Sequence, residues 1–329
     1  MMKPYVFITR KLPDDLVKPL MDVAEVEMWN KEAEPVPADV LREKASRATA
    51  LLTMLSDKID ESLLENSPHL KVVANLAVGF DNIDVSAATK RNIVICNTPD
   101  VLSDTTADLT FGLLMATARR LVESANYIKE GQWQGWSPYL LAGHDIHHKT
   151  IGIIGMGKIG QSLAKRATGF DMEILYHNRS RNEVAEKELH AIYCSFDDLL
   201  ERSDFVVCLT PLTNETKHLF NRKAFQRMKS SAIFVNASRG AVVDEDALIE
   251  ALKTGEITAA GLDVFVKEPI DVDHPLLSLS NVVALPHIGS ASIETRTVMM
   301  ELCIENIIRL LQDQSPKTIV NKELLSQNC

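Results

Sequence analysis

Three polar residues each follow an apolar run and stand beside a residue that ends it. Arg239 lies in "NASRG", before Gly240; Glu268 lies in "DVFVKEP", before Pro269; His287 lies in "LPHIG", close to Gly289. Side chains of these types could reduce a 2-oxo acid by hydride transfer. That reaction needs a fixed cation for the substrate carboxylate, a donor that polarises the carbonyl, and an acid that protonates the alkoxide. Arg239 suits the first two tasks and His287 the third. A Glu268 carboxylate bonded to His287 would hold the ring's tautomer and raise its pKa, keeping it protonated near neutrality. Each residue also has an ordinary reading: a solvated arginine, a Glu-Pro turn, a histidine satisfying a backbone carbonyl. Spacing alone does not bring the three together.

A hydride donor needs its own site, and "TIGIIGMGKIGQSLAKRA" (150–167) offers one. Gly155-Met156-Gly157-Lys158-Ile159-Gly160 follows a predicted strand and opens a predicted helix. Gly155 permits the tight turn, Gly157 lets the backbone approach a pyrophosphate, and Gly160 permits close packing of helix on strand. The pyrophosphate would sit on free N–H groups at the helix start, where the dipole favours anions. A glycine-rich turn without ligand is the plain rival. A methyltransferase turn is a second, but it too would want an acidic residue for the ribose hydroxyls.

That acidic residue is missing. A dinucleotide turn ordinarily has a carboxylate about 20 residues on, bonded to the ribose 2′-hydroxyl. "ILYHNRSRNEV" (174–184) instead places His177, Asn178, Arg179, Ser180 and Arg181 there. A carboxylate would repel the 2′-phosphate of NADP, whereas Arg179 can fork to it with charge-assisted hydrogen bonds. Asn178 and Ser180 can add neutral donors, and Arg181 either helps or is solvated. The pattern points to NADP(H), with NAD(H) used less efficiently.

These residues need a frame. "YVFIT" (5–9), "EVEMW" (25–29), "TALLTML" (49–55), "LKVVANLA" (70–77) and "IVICNT" (93–98) are predicted strands, with helices at "PADVLREKA" and "SAATKRN". One long helix is predicted over 104–131, capped by Asp104 or Thr105 and ended by Gly131. A second series gives six apolar strands, "TIGIIGM", "MEILYH", "DFVVCLT", "SAIFVNAS", "AAGLDVF" and "NVVALPH". Near-continuous apolar runs alternating with helices mark parallel sheets buried on both faces. A last helix spans 291–312. The pattern proposes α/β architecture in two domains: residues 1–100 joined by 290–329, and an inserted domain over 101–289.

The 329 residues carry a net charge of −10, with 46% hydrophobic content and no long basic block, which argues against nucleic acid and anionic membranes as partners. No apolar run approaches the roughly 18 residues of a membrane span, and "MMKPYVFITRKL" has no secretory apolar core. Five scattered cysteines, Cys96, Cys194, Cys208, Cys303 and Cys329, fit reduced thiols and a cytoplasmic location. Three histidines in "HDIHHKT" (144–150) raise the question of a metal. The chemistry needs none and no acidic or Cys partner has support, so no metal site is expected.

The segments "GIIGMGKIGQSLAKRATGFDMEILYHNRS", "FVNASRGAVVDEDALIEALKTGEITAAGLDVFVKEP", "NVVALPHIGSASIETR" and "NLAVGFDNIDVSAATKRNIVICNTPDVLSDTTADLTFGLLM" resemble the D-isomer-specific 2-hydroxyacid dehydrogenase family over nearly the whole chain. "TPDVLSDTTAD", "TMLSDKID" and "PHIGSAS" look most like its glyoxylate/hydroxypyruvate reductase branch, which includes 2-ketogluconate reductases. The resemblance implies a Rossmann coenzyme domain inserted into a flavodoxin-like substrate domain, and Arg239, Glu268 and His287 as catalytic residues. It implies that Val78 and Gly79 N–H groups meet the substrate carboxylate, that Leu55 lines the pocket, and that Ala237, Ser238, Asp263 and Gly289 lie by the cofactor. It implies a homodimer built largely on the inserted domain. Two departures stand out: His148 occupies a place where the family commonly has Gly, and Leu140 one where mammalian members have Trp, which leaves room for a longer substrate. Formate or phosphite dehydrogenases share the frame, but the former carry Gln at the position of Glu268. Nucleotide-sensing corepressors share the trio, but they use NAD and carry a long extension.

Overall fold

The structure, a computed structural model, describes residues 3–324. It divides into two compact units. One contains the described residues of Met1–Leu102 and Ser292–Cys329, the other Ser103–Ala291. Cys329 lies outside the described residues; the other four cysteines are buried and unpaired. Burial pushes the Cys208 thiol up to about 11 and the Cys96 thiol up to about 12. Among the described residues no helix is long and apolar enough to cross a membrane.

In the first unit five parallel strands, β1 (Tyr5–Ile8), β2 (Glu25–Met28), β3 (Ala50–Thr53), β4 (Val72–Asn75) and β5 (Val94–Cys96), run in the order β2-β1-β3-β4-β5. The inner strands β3 and β4 are buried along their length, as "ALLT" and "VVAN" require. The edge strand β2 reads "EVEM" and keeps its glutamates at the rim, where Lys44 and Arg47 pair with Glu27. Helices Asp14–Val23 and Ile293–Leu311 bury Val17, Leu20, Ile304 and Ile307 against one face. Ser292 caps the latter helix by accepting from Thr295 N.

The second unit holds seven parallel strands: β6 (Thr150–Ile154), β7 (Glu173–His177), β8 (Ile192–Tyr193), β9 (Phe205–Cys208), β10 (Ile233–Asn236), β11 (Ala259–Leu262) and β12 (Val282–Ala284). Their order is β12-β11-β10-β9-β6-β7-β8. After β8 the chain crosses back to place β9 beside β6, with Cys208 opposite Ile154. The order reverses at that pair, so a crevice opens beyond the carboxyl ends of β6 and β9. This is the doubly wound Rossmann arrangement. Phe220, Phe225 and Phe234 pack one face of the sheet, and Phe111, Leu163 and Tyr176 the other. Each such buried side chain contributes about 1.5–3 kcal/mol relative to exposure.

Two expectations for this unit need correction. The sheet has seven strands rather than six, because Ile192–Tyr193 pairs with Leu175 and Tyr176 of β7; two residues are too few to show a period. The long helix is two helices, Ser103–Ala118 and Leu121–Lys129. Arg120 breaks it in the left-handed region (φ +52°), held there by a two-pronged bond to Glu123 at 2.8 and 2.7 Å. The first helix buries half of its residues, and the second buries none. The break marks where the chain leaves the core, and no Gly or Pro announces it. The first helix also begins at Ser103, so neither Asp104 nor Thr105 caps it.

Candidate active site

The glycine turn follows β6. Gly155 adopts φ +105°, and a Cβ there would press on the Leu209 carbonyl carbon at 2.7 Å and Thr210 N at 2.8 Å. A Cβ on Gly160 would overlap the Gly155 carbonyl oxygen. Both positions therefore exclude any side chain, as a helix packed hard on its own turn requires. Gly157 precedes the helix Lys158–Thr168 and meets no atom within 4 Å. First-turn N–H groups lack intrahelical partners by helix geometry, and the space in front of Gly157 is open. A pyrophosphate fits this start.

The end of β7 is built around the same turn. Met156 N donates to Asn178 Oδ1 at 2.8 Å, and Asn182 Nδ2 donates to the Met156 carbonyl at 2.8 Å. Asn178 thus anchors the turn with its carbonyl, keeping only its amide N–H groups for a ligand. Arg179 and Ser180 are exposed, and Arg179 makes no hydrogen bond or ion pair with another described residue. Its charge reaches Glu215, whose carboxyl is held below the usual range by the Thr213 hydroxyl first, then by backbone and Arg179. Arg181 is not simply solvated. It grips Glu186 at 2.9 and 2.6 Å, and Glu186 also accepts from Tyr176 Oη at 2.6 Å. Those bonds, the Arg181 one first, take the Glu186 carboxyl down to about 2.

Arg239 follows β10. The Asn236 side chain folds the chain there, accepting from Ser238 N at 3.1 Å and Ser238 Oγ at 2.9 Å and donating to the Arg239 carbonyl at 3.1 Å. Ala237 is half-buried, and the Ser238 hydroxyl is committed to this turn. Gly240 packs on the backbone of Phe265 and Val266, where any Cβ would overlap it. The Arg239 segment is therefore in contact with the loop that carries Glu268.

Glu268 and His287 meet. Glu268 Oε2 lies 2.7 Å from His287 Nδ1, and Glu268 Oε1 accepts from Phe265 N at 3.0 Å. A carboxylate only accepts, so Nδ1 carries the hydrogen and Nε2 is left for chemistry. Burial alone would push the Glu268 carboxyl up; the His287 bond and charge, the Phe265 N–H and Arg239 outweigh it and hold it below the usual range. His287 stands at φ +53°, a strained place for a residue other than glycine. Asp263 holds it there. Its two oxygens accept from Ile288 N and Gly289 N, each at 2.8 Å, while burial, its largest influence, pushes its own carboxyl up. Gly289 leaves just enough room, since a Cβ there would stand 3.3 Å from Asp263 Oδ2.

Asn236 was not among the candidates from sequence; its only signal is a polar residue closing an otherwise apolar strand. Asp263, expected by the cofactor, uses both its oxygens to hold the His287 loop. Leu55, Val78 and Gly79 lie in the other unit, in the turns after β3 and β4, each half-buried. His148 adopts φ +59°, a left-handed conformation that glycine reaches more easily than histidine.

Comparison with known proteins agrees with this picture. Residues 111–289 match the family described as D-isomer specific 2-hydroxyacid dehydrogenase, NAD binding domain. The chain is 50% identical to a glyoxylate reductase of Pyrococcus horikoshii over 328 residues, covering 98% of each. Among solved structures it resembles a Thermus thermophilus protein (41% identity, TM-score 0.90, 96% of this chain and 99% of that one). It also resembles an NADPH-dependent glyoxylate/hydroxypyruvate reductase of Sinorhizobium meliloti, solved with NADP and malonate (32% identity, TM-score 0.85, 97% of each chain). A Rossmann turn, a carboxylate-held histidine at the end of the same sheet and similarity along the whole chain lead to one assignment: the chain belongs to the D-isomer specific 2-hydroxyacid dehydrogenase family of oxidoreductases.

Proposed function

We propose that the protein reduces a small 2-oxo acid, glyoxylate, hydroxypyruvate or 2-ketogluconate, to the D-2-hydroxy acid with NADPH. The observation that carries this reading is the 2.7 Å bond from His287 Nδ1 to Glu268, which leaves Nε2 as the proton donor. In this reading the Ser103–Ala291 unit is the coenzyme domain and the other unit the substrate domain.

The nicotinamide supplies hydride to the substrate C2. Gly155, Met156, Gly157, Lys158, Ile159 and Gly160 hold the pyrophosphate. Arg179, with Ser180 and the Asn178 amide, binds the 2′-phosphate; the absence of a carboxylate at the end of β7 supports NADP over NAD, and so does the NADP in the Sinorhizobium relative. Ala237, Ser238, Asp263 and Gly289 frame the nicotinamide end. Arg239 binds the substrate carboxylate and polarises the carbonyl. His287 Nε2 delivers its proton to the oxygen as hydride arrives, and Glu268 stabilises the charged ring that precedes this transfer. Val78 and Gly79 N–H groups and Leu55 contact the substrate.

A homodimer through the coenzyme domain fits the second helix and the loop after it. Leu121, Ile128, Trp133, Trp136 and Tyr139 are all exposed there, an unusual density of large apolar side chains for a free surface.

Steady-state kcat/KM for the three acids with NADPH, repeated with NADH, tests the proposal. Turnover with NADPH well above NADH is expected, and the ranking of acids identifies the substrate. His287→Ala is expected to abolish turnover while NADPH binding stays within a few-fold. Retained turnover removes His287 from the mechanism; no turnover of any acid by the wild type refutes the substrate class.

A further inference from the structure

The turns after β3 and β4 are joined by two side-chain amides, Asn75, which is buried, and Asn82, which is half-buried. Thr53 Oγ1 donates to Asn75 Oδ1 at 3.0 Å, and both residues are fully buried. Asn75 Nδ2 donates to the Gly79 carbonyl at 3.0 Å and to Asn82 Oδ1 at 3.2 Å. Asn82 Nδ2 then crosses to the other turn, reaching the carbonyls of Asp57 at 2.9 Å and Met54 at 3.1 Å. Asp57, itself buried, closes that turn by accepting from Met54 N at 2.7 Å, and is held from behind by the Thr9 hydroxyl and by Arg10 Nη1 at 3.3 Å.

A buried amide is costly unless bonded, so the bonded pair fixes one geometry. What it fixes is an incomplete turn. The N–H groups of Val78 and Gly79 donate to no acceptor among the described residues, although the carbonyls of the same residues are both bonded, by Asn97 Nδ2 at 2.8 Å and Asn75 Nδ2 at 3.0 Å. Two successive N–H groups in a turn can serve together as an anion nest, and here their backbone is pinned from the carbonyl side.

We propose that Asn82, acting through Asn75, is a positioning residue for the substrate carboxylate. It fixes the Val78–Gly79 nest against the Met54–Asp57 turn. The inference rests on the reading above, in which that nest meets the carboxylate. Donors fixed in advance bind without paying to order themselves. The carboxylate does not react, so its binding is the same in ground and transition states. Loosening the nest therefore raises KM and leaves kcat nearly alone. The backbone bond from Ile59 N to the Asn82 carbonyl, 2.9 Å, does not depend on the side chain and keeps the two segments together in a variant.

The full-length chain carrying Asn82→Ala is compared with wild type using glyoxylate and the uncharged dicarbonyl methylglyoxal. Thr53→Val, which removes one donor at nearly constant volume, is the milder second variant. The expected result for Asn82→Ala is a KM for glyoxylate raised about 10-fold, kcat within about 3-fold, and unchanged KM for methylglyoxal and Kd for NADPH. Thr53→Val should move glyoxylate KM the same way by less, and it decides the matter if Asn82→Ala does not fold. Unchanged glyoxylate KM overturns the inference, as does an equal rise for both substrates. A wild type that handles methylglyoxal as well as glyoxylate overturns the carboxylate reading itself, and the inference with it.

Discussion

Replacing Arg179 by Ala separates two cofactors that differ by one phosphate. The side chain is exposed and has no ion pair to lose, so the fold should change within about 0.5 kcal/mol. With NADPH bound, the substitution removes a charge-assisted hydrogen bond, typically about 1.5–3 kcal/mol, or roughly 10–150-fold in affinity. Solvent reaches both partners, which favours the lower end of that range, about 10–30-fold. Glu215 adds to the loss, because its carboxylate, now steadied partly by Arg179, would be left facing the phosphate. NADH has only a hydroxyl at that position and should change by less than about 3-fold. The assay is KM for each cofactor at saturating 2-oxo acid, at low and high salt. Wild-type KM for NADPH should rise with salt, and the variant's should respond less. Arg181→Ala is the internal control. Its guanidinium is already committed to Glu186, so it should cost stability of the turn more than selectivity between cofactors. An equal rise for NADPH and NADH in Arg179→Ala would refute the 2′-phosphate assignment.

Glu268→Gln should lower kcat about 10²-fold or more with little change in KM, because the His287 ring then lacks the carboxylate that orients it, and an unchanged kcat would remove Glu268 from the mechanism. Stability tests the same pair. The Glu268 carboxyl is held below its ordinary range in the fold, so its contribution is present above the unfolded value of about 4.3 and is lost as pH falls through the folded value. Chemical denaturation between about pH 5 and about pH 3 should therefore weaken wild type more than Glu268→Gln; equal slopes would contradict the assigned pairing. Asp263→Asn replaces one of the two acceptors that hold Ile288 and Gly289 with a donor, at a cost of about 2 kcal/mol or roughly 4–8 °C in Tm, and kcat should fall with it as His287 is released. A Tm loss with unchanged kcat would show that the loop does not position the histidine. Gly160→Ala drives a methyl into the Gly155 carbonyl and should cost about 1–3 kcal/mol in thermal unfolding, with weaker NADPH binding by titration; unaltered binding would place the pyrophosphate elsewhere.

The local elements of this chain were legible because their signals are local. "ALLT" and "VVAN" can only be buried strands, and Gly155, Gly157 and Gly160 are needed by a turn that lies wholly within one strand–turn–helix segment. The absent carboxylate at the end of β7 is likewise a matter of counting along the chain. Other features were silent because they depend on which distant segments meet. The break at Arg120 reflects where a helix leaves the core, and β8 exists only because β7 is there to pair with it. Arg181 read as either a cofactor contact or a solvated side chain, and only the fold put Glu186 against it. Asp263 became the lock on His287, and Asn75 and Asn82 the tie between two turns, only when sheet order set their neighbours. By itself the sequence determined most of the strands and helices and the types of reactive group, since backbone conformation and burial largely follow short-range spacing. Tertiary structure alone decided which polar groups are bonded and which are left over for a ligand, since a hydrogen bond needs both partners within about 3 Å and spacing along the chain does not measure that distance.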